Sequence, residues 1–182
     1  ERGQAVVDAI TAEGGEAWFH KLDITQPETV DALFADTKEH WGAIDVLVNN
    51  AAGMALKDGR VDEISLEDWD AVFASDVRST FYCIKAVLPY MQEQGGGSII
   101  NIGSMLSFQG GKFIPSYAAS KHGVAGLTKA FASEMGAYNV QINAIAPGYI
   151  KTENTAPIRA DKARNDEILE RIPARHWAEP YE

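Results

Sequence analysis

Short apolar runs alternate along this chain with longer stretches in which apolar residues recur at the spacing of a helix. The runs predict strands at 16–22, 45–48, 98–102 and 141–146. The helical spacing predicts helices at 4–12, 25–41, 76–94 and 117–137, with Ser65 as the cap of a further helix. Because strands and helices alternate, the predicted fold class is α/β with a doubly wound parallel sheet.

Residues that begin or end helices support these boundaries. Thr25-Gln26-Pro27-Glu28 fits a capping box with a proline inside the first turn. Glycines at 14–15 and 95–97 are typical of helix ends, and Pro89 predicts a bend in the long helix. The strand at 45–48 is apolar after its first residue, which favours a strand covered on both faces.

Composition and charge narrow the class of protein. A chain of 182 residues with 46% hydrophobic content predicts one domain over residues 1–182. A net charge of -10 argues against nucleic acid or an anionic membrane as partner. No apolar run approaches the about 18 residues of a membrane span. The single cysteine, Cys83, fits a reducing compartment, so a cytoplasmic location is expected. The histidines lack metal-ligand spacing, so no metal site is predicted.

The candidate chemistry lies between the strand at 98–102 and the helix that follows it. Tyr117 and Lys121 are four residues apart and therefore share a helix face, and the loop can bring Ser104 to the same point. An ammonium about 4 Å from the phenol contributes about 4 kcal/mol at an effective dielectric near 20, enough to lower the tyrosine pKa from about 10 to about 7. Tyr117 is therefore a candidate proton carrier, with Ser104 holding the substrate oxygen.

The spacing of these three residues resembles the active site of the short-chain dehydrogenase/reductase family. Further stretches resemble the same family in the same order. Asp23 follows the first predicted strand, Asn49-Asn50-Ala51 follows the second, and 147–152 follows the last. The resemblance extends over nearly the whole chain and implies a Rossmann-like sheet and a nicotinamide dinucleotide cofactor, NAD or NADP, with NAD slightly favoured.

The resemblance also assigns residues to the cofactor site. The cofactor-binding residues it implies are Asp23, Ile24, Asn49, Ala51, Ala52, Tyr117, Lys121, Pro147, Gly148, Ile150 and Thr152. Two features depart from the family pattern. Ala52 precedes Gly53 where the usual motif has glycine directly after Ala51, and no Gly-rich turn precedes Gln4. The chain is therefore expected to lack the first βαβ unit of the fold, together with its C-terminal helix and strand.

A third departure concerns the long helix. The family commonly has an asparagine there, bound to a water that extends the proton path from the lysine, and this chain has Asp76. The carboxylate either holds the same water or pairs with Lys121 and offsets its effect on Tyr117. Asp76 is therefore included among the candidate catalytic residues, and an altered pH profile is expected.

The stretches 104–111, 144–149, 159–161 and 168–174 resemble the sugar-acid branch of the family. This branch implies a sugar acid such as 2-deoxy-D-gluconate or 2-dehydro-3-deoxy-D-gluconate. Lys151, Arg159 or Arg175 could meet its carboxylate, although solvation at the surface is favoured for each of them alone. The polar region 152–171 is predicted to form a mobile lid. Alternatives are a gluconate 5-dehydrogenase, a 3-oxoacyl reductase, or a catalytically inactive relative that binds dinucleotide. The family also implies a homotetramer built on the two long helices.

Overall fold

A three-stranded parallel sheet forms the centre of the fold. The computed structural model describes residues 2–52 and 59–182. The strands are β1 (Val46–Asn49), β2 (Gly97–Ile102) and β3 (Val140–Ile145), in the order β1-β2-β3. Asn49 is in register with Asn101, and Ile102 with Ile145, so the carboxyl ends of all three strands lie at one edge. The predicted Rossmann-like parallel sheet is thereby confirmed.

Helices connect these strands and follow the last of them. The α-helices are α1 (Arg2–Ala12), α2 (Pro27–Trp41), α3 (Leu66–Phe73), α4 (Ser79–Glu93), α5 (Pro115–Met135), α6 (Ala156–Ala160) and α7 (Lys162–Arg171). Single 3-10 turns occur at Met105–Ser107 and Gly136–Tyr138. In the described part of the chain, no helix is both long enough and apolar enough to cross a bilayer.

The main core lies on one face of the sheet. Side chains of α2, α4 and α5, such as Val30, Ile84 and Met135, form one buried cluster with Ile99 and Ile142 of the sheet. The alternate residues of the edge strands point the other way, and among them Val46, Val48 and Ile145 are exposed. Within the described residues, one face of β1 is covered, and the predicted cover of its second face is not seen.

Two local predictions before β1 are also wrong. Residues 16–22 form no strand, because a strand needs a hydrogen-bonded neighbour and this segment pairs with none of the three described strands. Thr25 does not cap α2. The N-cap of α2 is Gln26, and the Thr25 hydroxyl instead donates to Asp23 Oδ1 at 2.7 Å. Pro27 occupies the first turn of α2 as predicted.

The predicted long helix contains a π-helical turn. Residues Ala74–Arg78 form this turn between α3 and α4, so one nearly continuous helix extends from Leu66 to Glu93. Asp76 lies within the turn and is buried. A π turn rotates the following side chains relative to a regular helix and often marks a functional position. It directs Asp76 toward α5.

Candidate active site

Ser104 and Tyr117 meet just beyond the carboxyl end of β2. Ser104 follows the strand and caps the 3-10 turn Met105–Ser107, where its Oγ accepts a hydrogen bond from the Leu106 N–H. Tyr117 lies in the first turn of α5, which begins at Pro115. Both side chains line the same cavity, and the Ser104 hydroxyl lies close enough to lower the pKa of Tyr117. The first two predicted site residues therefore face a common space.

Ser107 fixes the loop that carries Ser104. Its hydroxyl donates to the backbone oxygen of Lys121 at 2.8 Å and accepts from the Ser104 N–H at 3.2 Å. The Met105 N–H donates to the Pro147 carbonyl at 2.9 Å. The loop is thus held between α5 and the turn after β3, which preorganises the Ser104 side chain.

Lys121 and Asp76 form a buried ion pair behind Tyr117. The Lys121 ammonium lies 3.7 Å from Asp76 Oδ2 and donates to the Ile102 carbonyl at 3.1 Å. It lies 5.4 Å from the centroid of the Tyr117 ring. Ser120 donates to Asp76 Oδ2 at 3.0 Å. Of the two alternatives for Asp76, the geometry supports pairing with Lys121.

The protonation equilibria of this group differ from those predicted for an isolated Tyr-Lys pair. Burial raises the pKa of Tyr117, the Ser104 hydrogen bond lowers it in part, and the Asp76 charge raises it again. Burial lowers the pKa of Lys121, while Asp76 raises it through charge and a hydrogen bond. The pKa of Tyr117 is therefore raised in this arrangement instead of lowered as predicted, because burial and, to a smaller extent, the Asp76 charge both raise it.

Several residues assigned to the cofactor line two cavities near the carboxyl edge of the sheet. A cavity of about 160 Å³ is lined by Ile24, Asn49 and Ala51, largely among apolar side chains. A larger cavity of about 650 Å³ contains Ser104, Tyr117, Gly148 and Ile150. Open α/β sheets bind ligands at this edge. The smaller cavity is an apolar slot and the larger one holds Ser104 and Tyr117, and each is lined in part by residues that the family resemblance assigned to the dinucleotide.

The remaining predicted cofactor residues line neither cavity in the described structure. Asp23 accepts from the Thr25 N–H at 2.9 Å, and its pKa is lowered by the hydrogen bonds from Thr25. The Thr152 N–H donates to Thr155 Oγ1 at 3.0 Å. Pro147 contributes through its carbonyl, as described above, and Ala52 is exposed. The family motif has glycine directly after Ala51, whereas this chain has Ala52 there and Gly53 next. Gly53 lies outside the described residues.

The residues predicted to meet a substrate carboxylate do not line the larger cavity, at least among its described lining residues. Lys151 pairs with Glu179, Arg159 donates to the Thr152 carbonyl, and Arg175 donates to the Glu170 carbonyl. Each of these cations is paired or hydrogen-bonded within the C-terminal segment. The described cavity lining therefore does not support the predicted contact of these three residues with a substrate carboxylate.

The C-terminal segment forms one wall of the larger cavity, which was not predicted from the sequence. The region predicted as a lid folds into α6 and α7, and Arg164 and Arg171 of α7 line the larger cavity. Trp177 also lines this cavity. Its ring packs edge-to-face against Tyr149, with 5.3 Å between the ring centroids, and its Nε1 donates a hydrogen bond to Asn165. The spacing of Arg164, Ile168 and Arg171 places them on one helical face, but it does not show whether that face meets solvent or a cavity. Mobility of this region remains a prediction.

Comparison with known proteins agrees with this geometry. A sequence profile described as short chain dehydrogenase matches residues 1–163. This chain therefore belongs to the short-chain dehydrogenase family.

Individual relatives are more specific. The chain is 43% identical over 175 residues to the 2-dehydro-3-deoxy-D-gluconate 5-dehydrogenase of Escherichia coli K12, covering 96% of this chain and 68% of the relative. It is 47% identical over 158 residues to the Bacillus subtilis 168 protein of the same name, covering 87% and 61%. The chain thus spans between three fifths and seven tenths of the length of these two relatives.

A solved structure extends the similarity to the fold. A gluconate 5-dehydrogenase from Burkholderia cenocepacia J2315, in complex with NADP and tartrate, superposes with a TM-score of 0.90 at 32% identity. The match covers 96% of this chain and 68% of that protein.

Proposed function

We propose that this protein is an NAD(P)-dependent oxidoreductase that interconverts a secondary alcohol and a ketone on a sugar acid, such as 2-deoxy-D-gluconate or 2-dehydro-3-deoxy-D-gluconate. The observation that carries the proposal is the convergence of Ser104 and Tyr117 on one large cavity, with the buried Lys121 ammonium 5.4 Å from the Tyr117 ring centroid. The sugar-acid activities named for the relatives support the substrate class. The NADP complex of the Burkholderia protein supports the cofactor class.

The proposed chemistry is a coupled proton and hydride transfer. A bound nicotinamide supplies the hydride acceptor for oxidation, or the donor for reduction. In oxidation Tyr117 accepts the proton of the substrate hydroxyl, and in reduction it returns a proton to the carbonyl oxygen. Ser104 hydrogen-bonds that oxygen and holds it facing the phenol. Lys121 places a positive charge behind the phenolate, with Asp76 balancing it.

The residues around the two cavities would hold the cofactor. Ile24, Asn49 and Ala51 would contact its adenosine half in the apolar slot. Gly148 and Ile150 would contact its nicotinamide half beside Tyr117. Asp23, Ala52, Lys121, Pro147 and Thr152 stay in the proposed cofactor set by family resemblance.

The test is to follow nicotinamide absorbance while the protein is incubated with NAD or NADP and a substrate panel. The panel contains 2-deoxy-D-gluconate, 2-dehydro-3-deoxy-D-gluconate, D-gluconate and a 3-oxoacyl thioester, and Tyr117→Phe is the matched control. We expect turnover of a sugar acid that falls at least about 100-fold in Tyr117→Phe, since general acid–base catalysis contributes about 10²–10⁴-fold. Turnover of the thioester alone, or equal rates in the control, would contradict the proposal.

A second candidate is a catalytically inactive relative that binds dinucleotide. The observation in its favour is the Asp76–Lys121 pair, which compensates the charge that would activate Tyr117. Such a protein would bind NADP without turning over any member of the panel. Titration of NADP by calorimetry beside the absorbance assay separates the two candidates.

Two further proposals concern assembly and location. We infer a homotetramer, supported by half-exposed Phe81, which packs against Phe131 at 5.9 Å on the outer side of α4 and α5. A monomer mass, measured by light scattering after size-exclusion chromatography, would contradict the tetramer.

We also infer a cytoplasmic location, which the unpaired thiol of Cys83 supports. Cell fractionation tests that inference.

A further inference from the structure

The larger cavity has a charge opposite to that of the chain as a whole. The sequence contains 26 acidic and 16 basic residues and has a net charge of -10. Among the described residues that line the cavity, the fully ionised side chains are Lys112, Arg164 and Arg171, and none is Asp or Glu. Charges of one sign lining a cleft raise the local concentration of a ligand of the opposite sign. This lining therefore favours an anion.

Two of the three cations are held on one face of α7. Arg164 and Arg171 both hydrogen-bond the carboxylate of Glu167, which lies between them along the helix. Each guanidinium has five N–H donors, and Glu167 engages one nitrogen of each. The three groups together carry one net positive charge, and donors remain for a second carboxylate. Glu167 thus orients the two arginines without neutralising them both.

Lys112 adds a further positive charge from the loop before α5. Its ammonium lies 5.0 Å from the Phe113 ring centroid. The same loop leads into the helix that carries Tyr117, so one connected segment supplies a cation and the proton carrier to a single cavity. A substrate with an acidic end and a reacting hydroxyl matches that arrangement.

We propose that Arg164 and Arg171 bind the carboxylate of the substrate while Tyr117 and Ser104 engage its reacting hydroxyl. The inference rests on the proposed function, because it assigns the acidic end of the proposed substrate to a place in the same cavity. Lys112 raises the local positive potential. Arg164 and Arg171 would thereby determine the substrate preference, so that compounds with a carboxylate are preferred over neutral polyols of the same length.

The alternative is that the arginines only stabilise α7 through their pairs with Glu167. Exposed pairs of this kind on one helix contribute little stability. A matched control is available on the same helix: Lys162 pairs with Asp166 at 2.6 Å but does not line the cavity in the described structure. Substitution of a purely structural arginine would resemble substitution of Lys162 and would not discriminate between substrates.

The experiment compares kcat and KM of the intact protein, Arg164→Gln, Arg171→Gln and Lys162→Gln. Each is assayed with a sugar acid that the protein turns over and with the polyol that has CH₂OH in place of the carboxylate. We expect each arginine variant to lose about 10- to 100-fold in kcat/KM for the acid, mainly through KM, as for lost hydrogen bonds to a charged group. The polyol should change by less than about twofold, and Lys162→Gln should match the unmodified protein on both.

The outcomes separate this inference from the proposed function. Arginine variants that keep full activity on the acid, or lose equal activity on acid and polyol, would overturn the carboxylate assignment and leave the oxidoreductase intact. A protein that oxidises polyols but no sugar acid would overturn both the substrate class and the assignment. Thermal unfolding of each variant is measured in parallel, and a selective loss on the acid at unchanged Tm supports the inference.

Discussion

Asp76 is the residue at which this site departs most from an isolated Tyr-Lys pair. Its carboxylate is buried and lies 3.7 Å from the Lys121 ammonium. A neutral amide at this position would hydrogen-bond but would not oppose ionisation of the phenol. A buried charge interacts strongly with its neighbours. Replacement of Asp76 by a neutral amide would therefore change the pKa values of Tyr117 and Lys121 together.

The pH dependence of oxidation tests this role of Asp76. Oxidation needs deprotonated Tyr117, so kcat/KM rises with pH through the tyrosine pKa, which Asp76 raises. Asp76 also raises the pKa of Lys121, so an amide would let the ammonium lose its proton at lower pH. We expect Asp76→Asn to remain active with its whole pH profile moved to lower pH. The exposed Asp70→Asn on α3 is the control, and a superimposable Asp76→Asn curve would rule out the role.

Cys83 offers a second test at the level of one residue. Burial in α4 raises the pKa of its thiol to about 11. At pH 8 only about one thousandth of such a thiol is thiolate, against about a quarter of a free cysteine. We expect iodoacetamide to alkylate the folded protein at least about 100-fold more slowly than the protein in urea, followed by mass spectrometry. Similar rates in both states would show that the thiol is accessible.

At the level of elements, local sequence signals predicted those structures that depend on local interactions. Ser65 caps α3 through its bond with the Asp68 N–H, and β2 and β3 lie within one residue of their predicted ends. The failures depend on distant neighbours. Residues 16–22 have the pattern of a strand but no partner in the described sheet. The π turn at Asp76 and the cavity face of α7 arise from packing, which a linear pattern does not encode.

The candidate site was predictable to the same extent. Ser104, Tyr117 and Lys121 follow from spacing, because a strand end and one helix turn determine where they lie. Arg164 lines the larger cavity and Arg159 does not, although the two are equally polar in sequence and differ only in the direction in which the folded segment turns them. The sequence of a surface helix does not show whether a charged side chain faces solvent or a cavity.

A side-chain ladder joins the elements that carry the site. Asn49 Nδ2 of β1 donates to Asn101 Oδ1 of β2 at 2.8 Å, and Asn101 Nδ2 donates to Thr128 of α5 at 3.0 Å. Asn101 is fully buried. The ladder fixes the carboxyl end of the sheet against the catalytic helix, so its loss should affect both stability and alignment.

Removal of Asn101 tests this ladder. Asn101→Ala leaves the Asn49 amide and the Thr128 hydroxyl without this partner, and we expect it to lower the free energy of unfolding by about 2–4 kcal/mol. The control is Asn143→Ala, an exposed asparagine of β3, with an expected change within about 0.5 kcal/mol. Urea unfolding measures both. Equal effects of the two substitutions would show that the ladder adds no stability.

At the scale of the whole described structure, residues 2–52 and 59–182, the two faces of the sheet differ in how far helices cover them. One face carries α2, α4 and α5 over a continuous core, and the strands place valines and an isoleucine on the other. The chain therefore combines a strongly acidic surface, a cationic cavity and an apolar sheet face. Exposed apolar patches of this kind bind other apolar surfaces.

The open sheet face predicts that residues 1–182 bind the dye ANS. Val46 is 56% exposed and Val48 is 51% exposed, and both point away from the core that Leu47 joins. We expect Val46→Thr with Val48→Thr to lower ANS fluorescence at unchanged stability, because threonine is β-branched and keeps the strand preference while adding a hydroxyl. Leu47→Thr should do the opposite, destabilising the core and raising fluorescence. A double valine variant with undiminished fluorescence would locate the dye elsewhere.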